Sequence, residues 1–249
     1  MSRKLLMAAA AVLMIGGPGA ALAQMAPPAY VAAAVADTAR PEADTKRDAD
    51  RKPAETVAFA GVKPGDQVAE ILPGGGYFTR ILSKTVGPKG HVYAVINPPT
   101  DPAKPPAILA VAADPAYANV TVETTGLQTI KAPVKVDVVW TSQNYHDMHN
   151  IKDFDMLAAN KSVYDVLKPG GVFLVLDHAA AAGAPADVTS TLHRIDPAVV
   201  KSEVEAAGFK FEGESKILAH AADDHTLKVF DPALRGHTDQ FIYKFRKPK

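Results

Sequence analysis

The sequence predicts an α/β fold built on a doubly wound sheet, mostly parallel, whose C-terminal strand runs antiparallel. Three observations predict it. Short apolar runs alternate with stretches of helical period from residue 67 to residue 176. The glycine-rich turn Pro73-Gly74-Gly75-Gly76 joins the first of those runs to the helix after it, at the carboxyl edge where open α/β sheets bind ligands. The rhythm then breaks beyond Phe209, where two strand-like runs follow one another with no helix long enough for a parallel crossover.

The chain begins Met1-Ser2-Arg3-Lys4 and continues in an apolar run from Leu5 to Ile15. A basic start before a short apolar run has the form of an export signal, and the run is too short to cross a bilayer. Gly16-Gly17-Pro18 breaks it, and Ala21-Leu22-Ala23 has the small-x-small spacing of a cleavage site. Residues 1–23 are therefore expected to be a signal peptide, leaving a mature chain from Gln24 that is periplasmic or secreted and has no stable membrane anchor. Residues 24–40 are rich in Ala and Pro without a polar/apolar period, which predicts a flexible leader. Residues 41–249 are expected to be a single domain, and the charge run from Arg40 to Lys52 reads as a solvated face.

Pro53 opens a short helix that stops at Gly61. Gln67 to Leu72 is the first apolar run, and Tyr77 to Val86 carries Phe78, Ile81, Leu82 and Val86 at helical spacing. Gly87-Pro88-Lys89-Gly90 ends that helix, and His91 to Ile96 is a second strand. A small helix at Ala107 to Ala113 precedes a third strand at Asn119 to Thr124. Val136 to Trp140 is a fourth strand, Asp153 to Leu167 a helix, and Lys168-Pro169-Gly170-Gly171 the turn into a fifth, continuously apolar strand at Val172 to Leu176. Asp196 caps a helix from Pro197 to Ala207, stopped by Gly208, and Phe209 to Ile217 and Gln240 to Phe245 are the last strands.

Composition narrows the function. There is no cysteine, so neither a disulfide framework nor a lipidated cysteine exists. The 27 basic and 27 acidic residues balance, and loss of residues 1–23 removes Arg3 and Lys4 and no acid. A slightly acidic mature chain has no basic field for nucleic acid, and a small-molecule substrate is the expected partner; the oligomeric state is not legible.

The glycine turn discriminates between cofactors. Thr79 stands where a dinucleotide site needs its third glycine, and no Gly-Lys-Ser/Thr follows, which removes a phosphate loop. Glu70-Ile71-Leu72-Pro73-Gly74-Gly75-Gly76 after the first strand, Lys168-Pro169-Gly170-Gly171 before the fifth and an antiparallel end together resemble the class I S-adenosylmethionine (SAM)-dependent methyltransferases, which have a Rossmann-like sheet. The resemblance spans roughly residues 53–247. Leu192-His193-Arg194-Ile195-Asp196, Ala222-Asp223-Asp224-His225 and Phe230-Asp231-Pro232 look most like an exported bacterial family of methyltransferases.

The resemblance implies SAM as cofactor and methyl transfer as the reaction. It places Glu70 near the amino group of SAM, with Pro73, Gly74, Gly75, Gly76, Asn97 and Asn144 as further cofactor-binding candidates. The polar stretch after the fourth strand supplies the catalytic candidates Tyr145, His146 and Asp147, with His146 as a general base. Two positions depart from the family pattern: Leu72 stands for a glycine, and Ile96-Asn97 for the acid that holds the ribose. An uncharged Asn97 offers less than a carboxylate, so a repurposed, non-catalytic module binding an envelope metabolite is the alternative function. Asp177 and His178 reach the same edge after the fifth strand, while His193, Arg194, Asp223, Asp224 and His225 reach it only through folding. His146, Asp147, His149, Asp177, His178 and His225 are metal-ligand types, but His-Asp-Met-His is not a recognised metal spacing, and no metal ligand is assigned. Arg194 and Arg235 are candidates for an anionic substrate group.

Overall fold

The architecture follows from where the apolar runs pair. A computed structural model describes residues 26–249 of the chain, so the expected export signal and its cleavage site lie outside the described residues. The strands are β1 (Gln67–Ile71), β2 (His91–Ile96), β3 (Val120–Thr124), β4 (Val136–Ser142), β5 (Leu167–His178), β6 (Lys210–Ser215) and β7 (Gln240–Arg246). They form one seven-stranded sheet in the order β3-β2-β1-β4-β5-β7-β6. The first five pair in parallel, and β7 is antiparallel to both β5 and β6, as the broken rhythm of the sequence predicts. Strand order reverses between β1 and β4, which sets the ligand crevice at their carboxyl ends.

The helices are α1 (Ala29–Val35), α2 (Glu42–Thr45), α3 (Asp48–Arg51), α4 (Pro53–Ala60), α5 (Tyr77–Val86), α6 (Ile108–Ala112), α7 (Tyr145–Met148), α8 (Met156–Val166), α9 (Val188–Thr191) and α10 (Pro197–Ala206). Alternation along the strands splits the core into two layers. Val138, Trp140, Leu174 and Leu176 face the side covered by α1, α4 and α5, and Val139, Phe173 and Val175 face the side of α8 and α10. Burying each such side chain stabilises the fold by roughly 1.5–3 kcal/mol. Trp140, fully buried, packs 4.7 Å from the ring of Phe78.

The N-terminal segment departs from expectation. Residues 29–35, expected within a flexible leader, form α1, with Val31 and Ala34 buried against α5. Two small apolar side chains three residues apart suffice for that face, and a run of Ala hides them from any period analysis. Nor is the charge run a solvated face throughout. Arg40 is only 5% exposed and grips Asp48 with both terminal nitrogens, at 2.8 and 2.6 Å, while the Tyr77 hydroxyl donates to the same carboxylate at 2.6 Å. That carboxylate ties α3 to α5.

Boundaries moved for local reasons. The helix expected from Asp153 starts at Met156, because Asp153 has φ +57° and Asp155 is the N-cap, accepting from the Ala158 amide at 2.9 Å. The expected turn at Lys168-Pro169-Gly170-Gly171 lies inside β5, where the pairing with β4 shifts register between Val136 and Val138.

Candidate functional site

The carboxyl ends of β1 and β4 meet at the reversal point. The chain leaves β1 through Leu72, whose φ is +51°, and turns at Gly74 (φ +57°) and Gly76 (φ +82°) into α5. The three glycines do different work. A Cβ on Gly76 would lie 2.8 Å from Val111, so this glycine admits α6, whereas a Cβ on Gly74 or Gly75 would meet nothing within 4 Å. Gly74 and Gly75 are exposed and leave open space above the turn; Pro73 beneath them is buried. From the other loop, the Asn144 side-chain amide donates to the Leu72 carbonyl at 2.9 Å, so the two predicted loops line one edge.

Glu70 sits inside that edge, 3% exposed, and accepts from the Thr79 hydroxyl at 2.5 Å. Burial pushes its carboxyl up to about 7, against the hydrogen bond from Thr79 and the charges of Arg51 and Arg80. Arg51 was missed in the sequence, where it belongs to the charge run. Its guanidinium lies 4.3 Å from the Tyr77 ring centre, donates to Gln143 Oε1 at 2.6 Å, and its charge acts on Glu70. Nothing in linear spacing links residue 51 to residue 143. Asn97 is exposed at the end of β2.

The predicted catalytic loop divides. Tyr145 is fully buried on the α8 side, its hydroxyl donating to Glu203 at 2.9 Å and accepting from Asn160 at 2.8 Å. It is a packing residue and is withdrawn as a catalytic candidate. Consecutive residues on the single turn of α7 point about 100° apart, and His146 turns onto the end of β5. There its Nδ1 and backbone N–H both donate to Asp177, each at 2.8 Å, and Nε2 lies 3.2 Å from Asp147 Oδ1.

Burial opposes charge on His146, yet Asp177 and Asp147 outweigh it and hold its pKa up at about 10. The two carboxylates favour the charged imidazolium, a form without the lone pair that the expected general base needs. Asp147, with its side chain 47% exposed, is the carboxylate of the group that reaches solvent. Burial pushes neighbouring His178 down to about 4 in spite of Asp177, and its Nδ1 bonds the Thr238 hydroxyl at 2.8 Å.

Folding brings only some of the late residues here. His193 Nδ1 comes within 3.6 Å of Asp147, with Phe230 packed 4.8 Å from its ring. Arg194 turns inward instead. It is fully buried, pairs with Asp223 at 2.9 Å and donates to the carbonyls of Ala179 and Leu227, so it is an anchor for the C-terminal segment and not an anion-binding residue. His225 pairs with Asp239 at 3.0 Å, outside the His146 group. Asp224 and Arg235 are exposed.

No family model matches this sequence, and no curated protein matches it either. Solved structures do. The fold resembles a SAM-dependent methyltransferase from Aquifex aeolicus with a TM-score of 0.57 at 19% identity, over 80% of this chain and 89% of that one. It resembles Aeropyrum pernix fibrillarin, a structure with natively bound SAM, with a TM-score of 0.53 at 17% identity over 80% and 76%. The [4+2]-cyclase SpnF gives a TM-score of 0.57 at 16% identity over 83% and 81%. With the strand order above, these likenesses show that the chain has the Rossmann-like fold of the class I SAM-dependent methyltransferases, closed by an antiparallel C-terminal strand.

Proposed function

We propose that this chain binds SAM at the edge between β1 and β4 and transfers its methyl group to a small-molecule acceptor outside the cytoplasm. The observation that carries the reading is the open turn at Gly74 and Gly75 set above a buried acid and beside a cation. Free backbone at the start of α5 lets a ligand approach closely. Glu70 and Arg51 present opposite charges to a ligand whose amino-acid end carries an ammonium and a carboxylate. The residues present thus fit SAM, which when bound supplies a methyl group on a positively charged sulfur. Direct displacement asks the protein mainly for alignment. Asn144 holds the two loops together, and Asp147, steadied by His146, faces the acceptor side as the available carboxylate.

Calorimetry tests it. The unaltered protein is expected to bind both SAM and S-adenosylhomocysteine. Gly74→Val is expected to abolish binding, because a branched side chain enters the open space that the ligand needs and strains the left-handed backbone of the turn, with circular dichroism to check that the variant is folded. His146→Ala is expected to spare cofactor binding and lower turnover about a hundredfold, by releasing Asp147 from its place.

A second reading is favoured by Asn97, exposed where a ribose-holding acid would stand, and by the cyclase with this fold. In it, the cleft binds an envelope metabolite without methyl transfer. Absence of heat with both SAM and its demethylated product at millimolar ligand would overturn the first reading and put this one in its place.

The site of action is proposed from residues 1–23 alone. Protein recovered from the periplasm or medium is expected to start at or next to Gln24. A soluble cytoplasmic product that keeps Ser2 would rule this out.

A further inference from the structure

We infer that His146, Asp147 and His193 form a binding site for one divalent transition-metal ion. The three residues offer one ligand atom each, and these atoms lie within 4.8 Å of one another. Two ligands held about 2.0–2.2 Å from a common ion at tetrahedral or octahedral angles are about 2.9–3.6 Å apart. His146 Nε2 to Asp147 Oδ1 is 3.2 Å, and His193 Nδ1 to Asp147 Oδ1 is 3.6 Å. Two of the three edges are already those of a shared ion, and a small swing of the partly exposed His193 ring closes the third.

The donor set names the class of ion. Two imidazoles and one carboxylate on one side of an ion suit the first-row divalent metals, zinc and iron among them, and leave coordination positions open. Magnesium and calcium prefer all-oxygen sites.

A supporting shell is built as well. Asp177, with no exposed side-chain surface, accepts from His146 Nδ1 and from the His146 amide. That pair of bonds fixes the ring and turns Nε2 toward Asp147, the arrangement in which a carboxylate orients a metal-binding histidine. An ion at Nε2 replaces the proton there, which leaves to solvent. Asp147 and Asp177 together balance the two positive charges of the ion.

The open side of the site faces outward. His146 is buried, but the side chains of Asp147 and His193 are 47% and 32% exposed, and Phe230, 58% exposed, forms an apolar rim on His193. A ligand with an oxygen or sulfur donor on an apolar body fits such a rim. The spacing explains why no linear motif announces the site: two ligands are adjacent on α7, and the third arrives from the loop before α10. The ion site stands on this geometry alone, and only its use in seating a methyl acceptor rests on the function proposed above.

The test uses the full chain, stripped with a chelator and titrated with Co2+ and Zn2+ by calorimetry and, for Co2+, visible absorption. One ion per chain is expected. Asp147→Asn and His193→Asn, the latter a residue that tolerates the φ of +57° at this position, are each expected to weaken binding at least a hundredfold with an unchanged circular dichroism spectrum. Asp177→Asn is expected to weaken it about 10–100-fold through His146, and His225→Ala to leave it unchanged. No binding at millimolar ion, or binding that survives Asp147→Asn combined with His193→Asn, overturns the site. SAM is absent from every arm, so failure here leaves the methyltransferase reading where it stood.

Discussion

Arg194→Met is expected to destabilise the protein by about 3–5 kcal/mol, because removing one partner of a buried ion pair leaves the other charged and unsolvated. Arg194 and Asp223 both have side chains with no exposed surface, 2.9 Å apart. The guanidinium also satisfies the carbonyls of Ala179 and Leu227, at 2.9 and 3.0 Å, which join the end of β5 to the segment before β7. For a chain of this size the loss should lower Tm by roughly 10 °C or more, read by thermal circular dichroism. Adding Asp223→Leu removes the orphaned charge, and part of the loss should return. Full recovery is not expected, because Asp223 also accepts from the backbone N–H groups of His225 and Asp239. A single-variant loss under 1 kcal/mol would show that the pair is hydrated and does not anchor the segment.

Glu70→Gln is expected to make the ligand-free protein more stable at pH 8 and to weaken SAM binding at the same time. Burial raises the folded-state pKa of Glu70 to about 7 from 4.5. Between those values the folded protein holds a proton that the unfolded chain has released, so stability falls as pH rises through the interval and the full penalty is present above it. At about 1.4 kcal/mol per pKa unit the penalty is on the order of 3 kcal/mol. Glutamine keeps an acceptor for the Thr79 hydroxyl and removes the charge. Denaturant unfolding from pH 4 to pH 8 should therefore give a larger gap between the two proteins at the alkaline end. Equal stability at both ends would mean that Glu70 is ionised and solvated throughout. The gain in stability with loss of binding is the trade expected of a charge kept in place for a ligand.

Much of the fold was legible along the chain. Period-two alternation and apolar runs located the seven strands, and helical spacing located α4, α5, α6, α8 and α10 but not α1, α7 or α9, while the missing crossover helix after Phe209 identified the antiparallel end. These are short-range signals: an apolar period names the face to be buried, and glycine and proline mark where the chain turns. The glycine turn and the polar loop after β4 were legible as one edge for the same reason, since the carboxyl ends of β1 and β4 meet wherever such a sheet is made.

Side-chain direction and long-range charge were not legible. The loop from Asn144 to Asp147 reads as four equivalent polar candidates, but one turn of helix sends Tyr145 into the core and His146 onto Asp177. His146 looks like a general base until β5 sets a buried carboxylate on one of its nitrogens and Asp147 lies at the other. Arg40 and Arg51 look like solvated charges, and Arg194 like an anion-binding one, until α3, α5 and the C-terminal segment enclose them.

By itself the sequence determined the order of the strands and of the longer helices, the antiparallel end and the glycine turn, because each depends on residues within a few positions of one another. Only the tertiary structure decided which titratable groups become partners. Residues 51 and 143, 146 and 177, 147 and 193, and 194 and 223 are brought together by packing the two layers, and no local period carries that information. Their burial then sets their charge states, through desolvation and the one or two opposite charges left within reach.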